Sequence, residues 1–121
     1  MITEDYVSFE TAKLLKEKGF DEGCRLHYHY VEAFNKYFPT DESISGFEQY
    51  YYPCPTLQMV MKWLRETYDT FISVEPGAIF GMFDVYVYYD NYTKLRIIER
   101  NKDNYEEACE EAIKYCLENL I

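Results

Sequence analysis

Glycine and proline are scarce in this chain, 5 and 4 residues of 121, which excludes collagen-like and Pro/Gly-rich disordered architectures. The few glycines form no phosphate-cradling Walker loop, dinucleotide fingerprint or nucleophile elbow. Only two histidines are present and none of the four cysteines stands in a CxxC pair, so no closed zinc signature can be written. Basic residues number 12 against 22 acidic ones, for a net charge of −10. Residues 1–60 hold 10 acidic and 5 basic groups and residues 61–121 hold 12 and 7, so each half carries −5. A field of that sign repels phosphate backbones and anionic bilayers, and neither nucleic acid nor membrane is an expected partner. No apolar run approaches the roughly 18 residues that a membrane span needs. The opening Met1-Ile2-Thr3-Glu4-Asp5 is acidic, with no apolar stretch behind it, unlike a secretory leader. The sequence reads as that of a cytoplasmic protein.

What the chain does have is aromatic residues, at 19%, most of them among its 14 tyrosines. Tyrosine packs as a hydrophobe but keeps a polar tip, so it suits surfaces that stay partly wet. An apolar content of 48% over 121 residues is enough for a single domain with one core, expected to span 1–121.

Three helices are legible. Ser8 is an N-cap for a helix carrying Phe9, Ala12 and Leu15 at helical spacing, with Gly19 at C′ and Phe20 folding back on Leu15. Pro53-Cys54-Pro55-Thr56 leads into a second helix whose stripe is Leu57, Val60, Met61, Leu64 and Tyr68, with Trp63 at its edge. Asn104 caps a third, with Glu106 and Glu107 in its first turn and Tyr105, Ala108, Cys109, Ala112, Ile113, Cys116, Leu117 and Leu120 along its apolar side. Cys109 and Cys116 then lie about 10 Å apart along the axis, beyond the reach of about 7 Å for a disulfide. Reduced, packed thiols are expected.

Strands are expected at Cys24–Val31, Gly46–Tyr52, Thr70–Glu75, Gly81–Tyr89 and Thr93–Glu99. Glu32 to Ser45 is the least readable stretch: Ala33, Phe34, Tyr37 and Phe38 could form one amphipathic turn, and Pro39-Thr40-Asp41-Glu42-Ser43 reads as loop. In the first strand Cys24, Leu26, Tyr28 and Tyr30 alternate with Arg25, His27 and His29. The last two strands form a hairpin about Asp90-Asn91-Tyr92. A two-residue loop would set Val85 and Val87 beside Arg96 and Lys94. A three-residue loop groups the valines with Leu95 and Ile97, and burial favours that register. The fold class is α+β: a largely antiparallel sheet of about five strands with three helices mainly on one face, in the order α-β-β-α-β-β-β-α. Tyr28, Tyr30, Tyr68, Tyr89 and Tyr105 belong on the core side.

Four constellations bear on function. In the odd register the outer hairpin face carries Tyr86, Tyr88, Lys94 and Arg96. It reads either as a solvated sheet face with cation–π support or as a protein-binding patch, since Tyr and Arg anchor interfaces. His27 and His29 project from one strand face and could share a zinc ion only with ligands from elsewhere; solvent-facing imidazoles are the simpler reading. Cys54, just ahead of the second helix, could pair with either histidine as a nucleophile, or be a packed cysteine between two prolines. Glu106, Glu107, Glu110, Glu111 and Glu118 could mimic a phosphate track, or simply form a solvated helix face. No cofactor is implied by any of these.

The stretch from Phe9 to Asp21 (Phe9-Glu10-Thr11-Ala12-Lys13-Leu14-Leu15-Lys16-Glu17-Lys18-Gly19-Phe20-Asp21) resembles the opening of small hypothetical proteins of Bacteroidetes, their phages and mobile elements. The likeness continues in Pro53-Cys54-Pro55-Thr56-Leu57-Gln58, Lys62-Trp63-Leu64-Arg65-Glu66 and Tyr105-Glu106-Glu107-Ala108, while Glu32 to Ser45 and Gly77 to Phe80 match loosely. The resemblance implies a phage or mobile-element origin, and no activity, cofactor or site. Taken together, the expectation is a non-enzymatic protein-binding accessory or regulatory module. The alternatives are a small hydrolase or metal-dependent enzyme using His27, His29 and Cys54, and an acidic nucleic-acid mimic.

Overall fold

A computed structural model describes residues 1–41 and 51–121. Its contacts fall into two units, Met1–Thr56 and Leu57–Ile121. The α+β class and the antiparallel pairing stand, but the single sheet does not. Among the described residues there are two three-stranded antiparallel sheets, one in each unit.

The first unit begins with α1 (Phe9–Glu17). The Ser8 hydroxyl accepts from the Thr11 amide at 3.3 Å, satisfying one of the donors that a helix start leaves open. At the other end Phe20 N–H donates to the Leu15 carbonyl (2.9 Å) and Gly19 N–H to Lys16 (3.2 Å), with Gly19 at φ +82°. This is a Schellman closure, and it buries Phe20. The strands are β1 (His27–Val31), β2 (Lys36–Thr40) and β3 (Tyr52–Pro53), in the order β2-β1-β3. β2 replaces the amphipathic turn expected around Tyr37 and Phe38 and the loop expected from Pro39. A single 3-10 turn, Glu32–Phe34, followed by Asn35 in the left-handed region (φ 51°) reverses the chain and pairs Tyr30 with Tyr37. Asparagine tolerates that conformation better than most residues. The strand expected at Gly46–Tyr52 lies, apart from Tyr51 and Tyr52, outside the described residues.

Beside the buried Val7, Ala12, Leu15 and Phe20, this unit carries a half-buried aromatic cluster. The Phe9 ring stacks on Tyr37 (4.1 Å between centroids) and meets Tyr52 and Tyr28 edge-on at 5.2 and 5.6 Å. Tyr28 donates its hydroxyl to the Val7 carbonyl at 2.7 Å, so the ring packs while its polar tip is satisfied. Tyr30, expected on the core side, is on the same strand face as Tyr28 but 45% exposed, with its ring 5.2 Å from Tyr37.

The second unit contains α2 (Leu57–Tyr68), β4 (Phe71–Pro76), β5 (Phe83–Tyr89), β6 (Lys94–Lys102) and α3 (Tyr105–Asn119). The sheet order is β4-β5-β6, and α3 packs against all three strands. Leu57, Val60, Met61 and Leu64 of α2 are buried, as are six of the eight residues expected along α3, while Tyr105 and Leu120 are half-buried. Trp63 is buried too, deeper than the edge position its spacing suggests, with Tyr68 edge-on to it at 5.2 Å. The Asn104 side chain accepts from the Glu107 amide at 2.9 Å, forming the expected cap.

The β5–β6 hairpin departs from the favoured register. Tyr89 pairs with Lys94, Tyr88 with Leu95, Val87 with Arg96 and Tyr86 with Ile97. The loop has four residues, and Asp90, Asn91 and Tyr92 have φ of 55°, 57° and 65°. Thr93 N–H closes it on the Asp90 carbonyl at 3.2 Å. Burial did not select the odd register because β6 is an edge strand that covers little of the core. The apolar neighbours of Val87 and Val85 are Ile72 and Val74 of β4, directly opposite them, together with α3. Two register shifts farther along β6, where Asn101 is left-handed (φ 59°), leave Ile98 half-buried while Leu95 and Ile97 stay exposed.

Ile113→Ala, at a site with no exposure, is expected to cost about 2–5 kcal/mol by leaving a cavity. Asn104→Ala removes one cap bond and is expected to cost about 1 kcal/mol. Urea denaturation of the two variants measures both.

Candidate binding surface

Side chains alternate along a strand, so with Val85 and Val87 inward, Tyr86 and Tyr88 face the opposite side of the second unit's sheet. The register puts Leu95 beside Tyr88 and Ile97 beside Tyr86 on β6, and Phe71 beside Tyr88 and Ser73 beside Tyr86 on β4. Phe71, Leu95 and Ile97 are 40%, 51% and 46% exposed. The face is therefore a three-strand apolar and aromatic patch. Such patches, when larger than scattered single residues, mark interaction surfaces. Its ends differ in charge. At the Phe71 end, the Arg65 guanidinium of α2 sits 5.9 Å from the Phe71 ring centroid. At the other end is Glu75, which accepts from the Ser73 hydroxyl at 2.7 Å. Asp84 lies opposite Glu75 and accepts from the Asn101 amide at 3.2 Å.

The expected patch of Tyr86, Tyr88, Lys94 and Arg96 is thus split. The tyrosines stay together on the outer face. Lys94 and Arg96 point the other way, as partners of Tyr89 and Val87. Lys94 is 3.4 Å from Asp90, and Arg96 lies over the Tyr115 ring of α3 at 5.9 Å. The residues that take their place, Leu95, Ile97 and Phe71, do alternate in the sequence, but only the pairing decides which way they face.

Beyond this face, the β4–β5 connection presents Ile79 (50% exposed) and Phe80 (102%). Gly77 N–H donates to the Met82 carbonyl at 2.9 Å and Met82 N–H to Ile79 at 3.1 Å. Gly81 at φ +81° is the left-handed third residue of a type II turn, with Phe80 at its corner.

In the first unit the histidines are half-buried rather than solvent-facing, with the Tyr51 ring 6.3 Å from His27 and 6.1 Å from His29. Cys24 was expected on the opposite face from them. Regular strand begins only at His27, and the preceding chain brings the Cys24 Sγ to 3.9 Å from His27 Nε2. That thiol donates to the Leu26 carbonyl at 3.2 Å, and burial pushes its pKa up, so it is poorly disposed to act as a thiolate. Cys54, the other candidate nucleophile, has no exposure and lies 4.0 Å from the Val7 carbonyl, a position that offers a substrate no approach. Among the described residues no three His, Cys, Asp or Glu side chains gather as a metal site would require. On α3, Glu111 is bonded to Lys102 at 2.6 Å, which interrupts the row of carboxylates. No helix among the described residues is long and apolar enough to cross a membrane.

No family model, curated protein or solved structure matches the chain.

None of the cysteines forms a disulfide, and burial pushes the Cys109 and Cys116 thiols up to about 11 and about 12. Unfolded, these groups ionise near their ordinary value of 9.0. The folded chain therefore keeps protons that the unfolded chain releases, and this part of its stability, complete below about pH 9, drains away by about pH 12. Urea unfolding at about pH 8 and about pH 10.5 is expected to show a smaller loss for Cys116→Ala than for the wild type.

Proposed function

We propose that the chain is a non-enzymatic protein-binding module, an accessory or regulatory factor of phage or mobile-element origin, that holds its partner on the outer face of β4-β5-β6. The observation that supports this most is the exposure of Phe71, Leu95 and Ile97 around Tyr86 and Tyr88 on one side of an otherwise covered sheet. Aromatic side chains supply large contact area at little entropic cost, and they are favoured anchors at interfaces. The resemblance to small proteins of Bacteroidetes phages and mobile elements supports the origin, and the acidic charge suits a protein partner better than nucleic acid.

Capture from host extract with the wild type and with Ile97→Asp tests the reading. The substitution is on an exposed position, so folded stability should move by no more than about 0.5 kcal/mol. A partner held through this face is expected to bind the variant roughly 30-fold more weakly, the effect of about 2 kcal/mol at an interface anchor. If wild type and Ile97→Asp retain the same proteins equally, the outer face is not the binding surface. Circular dichroism of the variant controls for folding.

A further inference from the structure

We infer that the occupant of the outer face is a second copy of this chain, related by a two-fold axis that lies between the two sheets and runs across their strands. The inference rests on the reading of that face as a binding surface and adds the identity of the partner.

Three observations point to it. The first is the polarity along the strands. Arg65 stands at the Phe71 end of β4, and Glu75 and Asp84 stand at the Pro76 end. A two-fold axis across the strands lays β4 over β4 head to tail, bringing Arg65 of each copy toward Glu75 of the other. An axis along the strands would instead lay β4 over the partner's β6 and set Asp84 of the central strand against its own copy, which is repulsive. An isologous interface needs a patch that is complementary to itself under one rotation, and the first rotation meets this through Arg65 and Glu75.

The second observation is the apolar middle. Between the charged ends lie Tyr86, Tyr88, Leu95 and Ile97, with Ser73 the only polar residue on the central rows. Face-to-face sheets with strands within about 30° of alignment pack about 10 Å apart, with such side chains interdigitating. The third is the β4–β5 turn, which continues beyond the Pro76 end. The same rotation carries the turn of each copy past the Phe71 end of the other, where Phe80, fully exposed on an ordered corner, gains apolar surface to cover.

The face is only three strands wide, and self-association is expected in the micromolar range. Two chains of net charge −10 repel at long range. Association should therefore be favoured at about 0.15 M salt, where the screening length is about 8 Å, over low salt.

Sedimentation velocity of the full chain over about two decades of concentration is the test. The wild type should pass from monomer to dimer, while Ile97→Asp stays monomeric. Arg65→Glu and Glu75→Arg should each weaken the dimer by roughly three- to tenfold, since each removes two symmetry-related rim pairs, and the double variant should recover. A wild type that is monomeric at every concentration overturns the inference, as does self-association that survives Ile97→Asp or a double reversal that does not recover. If the wild type is monomeric while extract still yields a partner that depends on Ile97, the second copy is wrong and the binding face stands. If neither is seen, the binding face itself fails.

Discussion

Val85 and Val87 have no exposure at all, and because side chains on a strand alternate strictly between faces, their burial beneath α3 sends Tyr86 and Tyr88 the other way. β5 is the central strand, so its orientation is passed to both neighbours. On β4, Ile72 goes inward opposite Val87 and Phe71 goes outward opposite Tyr88. On β6, Leu95 and Ile97 follow the tyrosines outward and Arg96 follows the valines. A slip of one residue between β5 and β6 would reverse the β6 assignments and leave those of β5 unchanged. The apolar outer face thus follows from how the core is closed.

The two units use aromatic residues in different ways. In Met1–Thr56 the Phe9 ring gathers three tyrosines around it, and Lys16 spans their rim, with its ammonium 4.7 Å from the Tyr52 ring centroid and 2.9 Å from the Tyr51 carbonyl. Rings with polar tips suit so small a sheet, where few positions can be fully dry. In Leu57–Ile121 the core is aliphatic, with small residues and cysteines along α3 that let the helix lie close to the strands. There Trp63 is buried among them, and Phe71, Tyr86 and Tyr88 lie on the outer face.

Helices were the legible part of this fold because their signals are local. The Ser8 and Asn104 caps, the Gly19-Phe20 closure and the stripes of α2 and α3 all depend on residues within a few positions of one another. Strand partners were harder. Tyr37 and Phe38 in β2 sit at a spacing from Ala33 and Phe34 that also fits a helical turn; what makes them a strand is pairing with Tyr30 and His29 after a turn that needs Asn35 left-handed. The division into two sheets was likewise invisible, since each strand alone is consistent with one larger sheet. Half of the candidate surface was legible. Tyr86 and Tyr88 were placed correctly by alternation within β5, whereas Lys94 and Arg96 were misplaced because the hairpin loop has four residues.

Local residue patterns were enough for the three helices, the caps of the first and third, the antiparallel α+β class, the inward valines of β5 and, with them, the outward tyrosines. Each of these rests on a period or a cap that a short segment carries within itself. Only the tertiary structure decided the number of sheets, the partner of every strand and the residues that share a face with Tyr86 and Tyr88. Those depend on loop geometry and on which neighbour supplies the core. In β6 an edge strand was free to turn Leu95 and Ile97 outward because β4 and α3 had already buried the valines.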